Sequence, residues 1–376
     1  MAEFNSPFYQ LKGDQLVPKS KDPIAMEQQD DLIHELTRYV EAKLCIVDEF
    51  TPITIPPMED DKLATVPHTS ILASKDWESA TNLLIICQNQ SGSQMGIFSR
   101  SLCFDEGLDK GSMLPYVAKA RELGYGVLIL RPNTNSVIDP NTKAKIPIRG
   151  SESPEVHALC VWENIVPLAA NLQNISLLGY GNGASLCHEI FLKSCLSQDL
   201  NIVNAVVTIE ASQLVEQDDP FDIKDHLSKI AVNFEESESS PKGYDLRYRQ
   251  KKLGCNSMSL GLPEGASAII NVGLSASMAL EPVFEFLQYS IGNDLKSNKN
   301  LIKSHVSSFA EKFQTNPSKA FTDKNPDIFE QQAEEAELED EVPPVAEERS
   351  MFSRIFGFGN KAAAKEPKKE KDLTVR

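Results

Sequence analysis

The spacing of hydrophobic positions changes along the chain and predicts two kinds of structure. Near the start, Leu32, Leu36, Val40 and Leu44 recur at helical spacing, which predicts an amphipathic helix over about 25–43. From residue 80 onward, short continuous apolar runs alternate with helical segments. The runs predict strands at 83–87, 127–130, 174–179, 203–209 and 268–272, and the segments between and after them predict helices at 114–123, from 153, at 183–195 and at 279–290.

Strands built from unbroken leucine and β-branched runs are typical of a sheet that is buried on both faces. Their alternation with helices predicts an α/β fold, and right-handed crossovers between parallel strands make it doubly wound. Ser153 followed by Pro154 predicts a helix start, because serine caps the first turn and proline suits the first helical position. We therefore predict a mostly parallel sheet with helices on both sides.

The pattern ends near residue 295, and the composition divides the chain into four predicted parts. Residues 1–60 form an N-terminal extension and 61–295 the α/β domain, while 296–350 form an acidic linker and 351–376 an aromatic and basic end. Serine, asparagine, lysine, proline and glutamate dominate the linker, so we expect disorder over at least 310–350.

The formal net charge is −17, and more than half of this excess lies in one stretch of the predicted linker, since residues 327–348 hold ten acidic residues and no basic one. Such acidity disfavours nucleic-acid binding by the surface as a whole, and we expect no direct nucleic-acid contact. The seven cysteines are scattered without a CxxC pair, which favours reduced thiols in an intracellular protein. We expect no secretory signal, no membrane span, no metal site and no cofactor.

The strongest chemical signal is the junction between the strand at 174–179 and the helix at 183–195. Gly179-Tyr180-Gly181-Asn182-Gly183 has the glycine spacing of G-x-S-x-G, the nucleophile elbow of an α/β-hydrolase. Glycine occupies the serine position, so residue 181 has no hydroxyl to attack a carbonyl.

The other two members of a hydrolase triad are also in question. Glu210 follows the strand at 203–209 and is the candidate acid. A histidine is expected after the last strand, but Leu274-Ser275-Ala276-Ser277-Met278 contains none, and Ser277 marks the vacant position. Loss of both nucleophile and base removes on the order of 10⁶ in turnover from a serine hydrolase. We therefore predict a hydrolase-like fold without the usual hydrolysis.

Other groups near the elbow could replace the missing nucleophile or base, but each has a simpler interpretation. Cys187 and His188 are adjacent on one helix and point about 100° apart, so we interpret them as a core cysteine and a surface histidine. His157 is interpreted as a packed or cap-region histidine, and Glu210 is either a ligand contact or a polar strand end. Free backbone amides at a helix start bind anions. A pocket for a carboxylate or phosphate therefore stays open as a hypothesis, with Gly179, Gly181, Asn182, Gly183, Asn89 and Glu210 as its members.

Several separate blocks of sequence, in order, resemble the argonaute-binding-protein-two domain family over roughly residues 5–290. The blocks are Asp109–Tyr116, Gly124–Asn135, Gly150–His157 with Trp162, Ile230–Phe234 and the turn at Gly273. The resemblance implies an α/β-hydrolase-like fold and work in RNA-guided or chromatin-linked silencing, or in co-transcriptional control, through argonaute and chromatin partners. Members with a full elbow carry serine at the position of Gly181 and histidine near Ser277, and this chain departs at both.

Three functions follow as hypotheses. The first is a non-catalytic scaffold in the nucleus or cytoplasm, with Phe352, Ile355, Phe356 and Phe358 as a partner-binding motif near the C-terminus. For that motif, a fortuitous apolar patch or a weak membrane-surface contact is the simpler interpretation. The second is an esterase or thioesterase with a displaced serine or cysteine nucleophile. The third is a binder of small anions.

Overall fold

The computed structural model describes residues 3–20, 26–88, 94–196, 202–237, 239–262 and 274–313. Twelve strands are present among them. They are β1 (Tyr9–Lys12), β2 (Gln15–Pro18), β3 (Thr51–Ile55), β4 (Thr69–Ala73), β5 (Asn82–Cys87), β6 (Tyr125–Ile129), β7 (Ser136–Ile138), β8 (Lys145–Pro147), β9 (Asn174–Tyr180), β10 (Val203–Ile209), β11 (Ala231–Glu235) and β12 (Asn256–Ser259).

Ten α-helices accompany these strands within the same described ranges. They are α1 (Met26–Val47), α2 (Arg100–Asp105), α3 (Leu108–Gly111), α4 (Leu114–Glu122), α5 (Pro154–Asn164), α6 (Gly183–Leu196), α7 (Phe221–Ile230), α8 (Gln250–Leu253), α9 (Leu274–Gly292) and α10 (Lys299–Phe313).

Eight of the described strands form the central sheet, in the order β12-β11-β10-β9-β5-β6-β4-β3. The six strands from β12 to β6 run parallel, and β4 is antiparallel to both of its neighbours. This confirms the predicted fold class, an α/β-hydrolase-like and mostly parallel sheet. The chain turns from one half of the sheet to the other between β5 and β9, and at such a switch point the carboxyl ends of the strands leave a crevice.

Helices cover both faces of the sheet, which explains why its central strands are apolar at nearly every position. Helices α5 and α6 pack on each other, and α4 packs on α9; α6 and α9 both contact β9 and β10. Every residue of β10 is buried, as is every residue of β9 after the first. Strands buried on two faces lose the alternation of polar and apolar residues, so their continuous apolar runs were readable from the sequence.

The predicted boundary between a 1–60 extension and the domain is wrong. Strand β3 is the edge strand of the central sheet, and Leu36, Val40 and Leu44 of α1 are fully buried in the core. The described residues from 3 to 313 belong to one compact unit. The amphipathic pattern of α1 was therefore the signature of a core helix, and the helix continues to Val47, beyond the predicted end near 43.

The predicted linker also begins too early. Residues 299–313 form α10, whose Ile302, Val306 and Phe309 are buried at spacings of four and three residues. Phe309 packs on Phe234 of β11, with ring centroids 5.6 Å apart. These three apolar residues are surrounded by lysine, serine and asparagine, which hid the periodicity. The remainder of the predicted linker and the aromatic C-terminal motif lie outside the described residues.

Two further boundaries differ from prediction at the end of the domain. Helix α9 begins at Leu274, so residues 274–278 form its first turns instead of the predicted loop. The predicted strand 268–272 lies outside the described residues. Among the described strands, β12 stands at the end of the sheet opposite β3, and the sequence analysis missed it. β12 is short, and its Asn256-Ser257-Met258-Ser259 sequence lacks an apolar run, so periodicity gave no signal.

Candidate functional site

The junction between β9 and α6 has the backbone geometry of an elbow. Gly181 has a φ of +55°, in the left-handed region that favours glycine. Its N–H donates a hydrogen bond of 2.8 Å to Ile209 O, the last residue of the neighbouring strand β10. The turn is therefore fixed by the sheet itself, and the residue at the predicted nucleophile position is a glycine.

The two flanking glycines are required by close packing. A Cβ atom on Gly183 would lie 2.2 Å from Cys87 O, and one on Gly179 would lie 2.9 Å from Ala184 N. Both neighbours are backbone atoms, which cannot move aside as a flexible side chain can. The spacing of glycines in the motif thus reflects how closely α6 approaches β5 and β9.

Three backbone N–H groups of the elbow already donate hydrogen bonds within the protein, so fewer are available to the predicted anion pocket. The Gly181 N–H is bound to Ile209 O, and the Ala184 and Ser185 N–H groups bond back to the carbonyls of Gly181 and Asn182. Asn182 is exposed beside them. Asn89, the predicted member from the end of β5, lies outside the described residues.

Strand register places Glu210 next to the elbow. Tyr180, Ile209 and Phe234 pair across β9, β10 and β11, so the residues that follow them meet at the carboxyl edge of the sheet. Glu210 has a φ of +54°, which is unusual for a residue with a side chain. The structure therefore places Gly181 and Glu210 at the same edge of the sheet.

Glu210 lies in a setting that favours its protonated form. Burial raises the pKa of its carboxyl to about 7, and the nearby Glu235 and Glu236 carboxylates add to the shift. Glu236 N–H donates to Glu210 Oε1 at 2.7 Å, which opposes the shift without cancelling it. Burial also raises the pKa of the Tyr180 phenol, to about 12. The Glu210 carboxyl therefore holds its proton to a higher pH than an exposed glutamate does.

Glu236 is a second acid at this crevice that the sequence analysis missed. Its Oε1 is buried and has no hydrogen-bond partner among the described residues, and burial raises the pKa of its carboxyl. It follows β11 within a run of glutamates and serines that resembles a solvated loop. One indication of a strand before Glu236 was present in the sequence, the apolar segment Ile230–Phe234. In the structure this segment contains the end of α7 and most of β11.

The first turns of α9 close the crevice on another side. Ser275 is fully buried near Glu210 and Tyr180, and by geometry its Oγ has no hydrogen-bond partner among the described residues. Ser277, which marks the position where the sequence analysis expected a histidine, is part-buried on the same helix. The full sequence has no histidine between His226 and His305, so neither β12 nor the segment leading to α9 supplies one.

The substitute nucleophiles fall in different environments. Cys187 is fully buried, as predicted, and burial raises the pKa of its thiol well above the ordinary value, which disfavours the reactive thiolate. His188 is only 4% exposed, so its interpretation as a surface histidine is wrong; its Nε2 lies 2.8 Å from Asp219 Oδ2. Ser185 is exposed, and its hydroxyl donates to Asn182 O at 2.8 Å.

His157 is a fully bonded core residue. Its Nε2 accepts a hydrogen bond from Arg131 N–H at 3.2 Å, and its Nδ1 lies 3.0 Å from Ser151 Oγ. Because Ser151 donates its own proton to Thr134 O, Nδ1 carries the ring proton. Burial lowers the pKa of His157 to about 4. The packed interpretation of this residue accounts for both nitrogens.

Residues 25–240 match the family model of the Arb2 domain, which is more than half of the chain. The chain belongs to the Arb2 domain family. The match covers α1, the strands β3 to β11 and the elbow, and so includes both Gly181 and Glu210.

Among curated proteins, this Arb2 chain is similar to the cotranscriptional regulator ARB2A homolog of Gallus gallus, with 34% identity over 27% of the chain and 24% of that protein. It is 25% identical to the FAM172 family protein homolog Y75B8A.31 of Caenorhabditis elegans over 47% of the chain and 55% of that protein. The chain thus spans a quarter to about half of the length of these relatives.

Among solved structures, the Arb2 chain is similar to a histone deacetylase from Saccharomyces cerevisiae, with 13% identity and a TM-score of 0.41 over 70% of the chain and 98% of that structure. The strand order of the central sheet and the elbow after β9 are those of an α/β-hydrolase-like fold. In the described ranges of this Arb2 chain, every helix is too short or too polar to cross a membrane.

Proposed function

We propose that this protein is a non-catalytic Arb2 scaffold that acts in co-transcriptional or chromatin-linked gene regulation by binding other proteins. The observation that carries the proposal is the elbow, which keeps its turn, its flanking glycines and its helix while glycine holds the nucleophile position. A hydrolase needs a nucleophile and a base in addition to this shape, and the sequence offers no histidine where the base belongs.

The class of partner is proposed from relatives. The ARB2A proteins of several animals are named cotranscriptional regulators, and the family resemblance adds argonaute and chromatin proteins as candidates. Work on transcripts during their synthesis would place the protein in the nucleus. We assign part of the binding to the aromatic C-terminal motif, Phe352, Ile355, Phe356 and Phe358, since aromatic anchors dock short segments into grooves.

Affinity purification of the full-length protein from nuclear extract tests the partner class. We expect argonaute, splicing or chromatin proteins to be enriched over a control purification. A matched variant with all four residues of the C-terminal motif changed to alanine should lose part of this set. Recovery of none of these protein classes with the full-length protein would contradict the proposed regulatory role.

The alternative function is hydrolysis by a displaced nucleophile, and Ser185 is the specific candidate for it. Ser185 and His188 lie three residues apart on α6, line the same cavity, and His188 contacts Asp219. The Ser185 hydroxyl donates its proton to Asn182 O at 2.8 Å, which favours the non-catalytic proposal.

An activated-ester substrate and a serine-reactive fluorophosphonate probe separate these functions. We expect turnover and labelling of the native protein to equal those of the heat-denatured control. Turnover that disappears in Ser185→Ala, with folding intact by circular dichroism, would establish the displaced nucleophile and overturn the non-catalytic proposal.

A further inference from the structure

The crevice beside the elbow contains two carboxyl groups without a basic partner. Glu210 directly follows β10, and Glu236 directly follows the neighbouring strand β11. Among the described residues, no lysine or arginine forms an ion pair with either of them. The adjacent Glu235 differs, because it pairs with Arg249 at 2.9 Å. Arg249 also donates to Ala211 O, so its guanidinium is already bonded on this side of the sheet.

One oxygen of these carboxyl groups is buried without a donor. Glu236 N–H donates to Glu210 Oε1 at 2.7 Å, which holds the two residues together. Ser275 N–H, in the first turn of α9, lies against the Glu236 carboxylate. Glu236 Oε1 is nevertheless buried and has no hydrogen-bond partner among the described residues. A buried carboxylate oxygen in this state is costly unless a donor reaches it.

The Ser275 side chain supplies an observation that does not depend on the carboxyl groups. It is 0% exposed, and its Oγ has no hydrogen-bond partner of good geometry among the described residues. Burial raises the pKa of the Glu210 carboxyl and of the Tyr180 phenol, and the nearby Ser275 hydroxyl opposes both shifts. The hydroxyl therefore lies close to both groups and is well bonded to neither. Buried hydroxyls of this kind indicate a further binding partner in the space they face.

The position of Ser275 is fixed by the aromatic side of the crevice. Tyr116 OH donates to Ala276 O at 2.6 Å, which holds the first turn of α9. The Tyr116 ring packs on Phe98, and Phe98 packs on Tyr180 with ring centroids 5.2 Å apart. Aromatic rings next to carboxyl groups favour a cation, because the face of a ring carries negative partial charge.

Charge and hydrogen bonding together select the class of ligand. Burial and the Glu235 and Glu236 carboxylates raise the pKa of Glu210, so the local field is negative. Such a field opposes the carboxylate or phosphate that the elbow glycines suggested. Two carboxyl groups and a hydroxyl offer three acceptors, which match the three N–H donors of a primary ammonium group.

We propose that the elbow crevice binds a primary ammonium group, with Glu210, Glu236 and Ser275 as its acceptors and Tyr180 beside its carbon chain. Both carboxyl residues are half-buried, so the crevice opens to solvent. A free alkylamine and the lysine side chain of a partner protein present this same group. Binding depends only on the folded crevice and does not require the regulatory role proposed above.

The test is isothermal titration calorimetry of the full-length protein with n-butylammonium at pH 8. We expect saturable binding at one site per chain. Two control ligands, 1-butanol and tetramethylammonium, should not bind, because the first lacks the charge and the second lacks N–H donors. Absence of saturation at tens of millimolar n-butylammonium, or equal binding of either control ligand, would overturn the proposal.

Variants place the binding in the crevice. Glu236→Gln removes the charge at nearly constant shape and should weaken binding about tenfold or more, since hydrogen bonds to charged groups are the stronger ones. Ser275→Ala removes one acceptor and should weaken it roughly fivefold. Glu78→Gln, at an exposed position elsewhere, is the matched control. Urea denaturation verifies that each variant is folded, and equal affinity of Glu236→Gln and Glu78→Gln would overturn the site.

A peptide distinguishes the two sources of the ammonium group. A short peptide with a blocked N-terminus and one lysine is compared with the same peptide acetylated on that lysine. Tighter binding of the lysine peptide than of n-butylammonium assigns the crevice to a partner protein, and weaker binding assigns it to free amines. Equal binding of the acetylated peptide would contradict an ammonium site. Displacement of n-butylammonium by an equal concentration of Mg²⁺ or Ca²⁺ would overturn the assignment to an organic cation.

Discussion

The junction beneath the elbow and the crevice above it are adjacent, yet they are built in opposite ways. At the junction, Gly179 and Gly183 meet backbone atoms at distances that leave no space for a methyl group. In the crevice, Glu210 carries a raised pKa, and Glu236 Oε1 and Ser275 Oγ are buried without hydrogen-bond partners among the described residues. Close packing stabilises the first region, whereas the second retains polar groups at a cost in stability, as functional sites do.

The largest expected effect comes from adding a methyl group to the junction. Gly183→Ala would place a Cβ 2.2 Å from Cys87 O, so α6 has to move away from β5. We expect the free energy of unfolding to fall by about 3 kcal/mol or more, measured by urea denaturation. Gly292→Ala is the control, because nothing lies within 4 Å of its Cβ position at the end of α9. Equal stability of the two variants would show that the junction is not closely packed.

The next effect concerns the crevice and depends on pH. Burial raises the pKa of Glu210 to about 7 from 4.5, so the folded state binds an extra proton between these values. The resulting stability is fully present below pH 4.5 and is lost as the pH rises through 7. Glu210→Gln keeps an acceptor for Glu236 N–H and cannot ionise.

We therefore expect Glu210→Gln to gain stability over the parent as the pH rises, by up to about 3 kcal/mol at pH 8 compared with pH 4.5. Urea denaturation at several pH values measures the difference. If the gap between the two proteins is the same at pH 4.5 and pH 8, the carboxyl is not perturbed and the crevice does not differ from an ordinary surface.

A smaller effect is expected from restoring serine to the elbow. Gly181→Ser places a side chain at a φ of +55°, which should cost about 1 kcal/mol of stability. We expect no ester hydrolysis, because the sequence has no histidine between His226 and His305, where a hydrolase of this fold carries its base. Gly13→Ser, at a φ of +65° in the β1–β2 turn with nothing within 4 Å, should show the same loss of stability. Hydrolysis by Gly181→Ser would mean that the crevice carboxyls already serve as a base.

The smallest effect is expected at Ser275. Because its Oγ has no hydrogen-bond partner by geometry, Ser275→Ala should change the free energy of unfolding by less than about 0.5 kcal/mol, or raise it slightly. Ser74→Ala is the contrasting variant, since the Ser74 hydroxyl accepts from Val127 N–H at 2.9 Å and is buried. Its removal should cost about 1–2 kcal/mol. Thermal denaturation of both variants makes the comparison, and similar losses would show that Ser275 is bonded.

Much of this fold was predictable because the sheet is covered on both faces. Continuous apolar runs located β5, β6, β9 and β10, and the glycine spacing located the elbow. Strand β12 and helix α10 were missed, since Asn256 and the lysines around Ile302 mask their buried faces. β12 has buried serines in place of an apolar run, and α10 buries only three of its apolar side chains.

The site was predictable only where its members are close in sequence. Gly181 follows directly from a motif, and Glu210 follows from being the first residue after a strand. Glu236 and the pairing of His188 with Asp219 depend on strand register and on how a loop returns to α6. Sequence spacing carries no information about such contacts.

The hydrogen bond from Gly181 N–H to Ile209 O holds the shape of the turn through backbone atoms alone. The shape therefore does not depend on the hydroxyl that a serine hydrolase carries at this position. A change from serine to glycine at such a turn deletes the hydroxyl and relaxes the backbone in one step. At a left-handed φ, glycine therefore avoids the backbone strain that serine would carry. The reverse change, from glycine to serine, lowers the free energy of unfolding before any activity is gained. Elbows of this kind are therefore easier to silence in evolution than to reactivate.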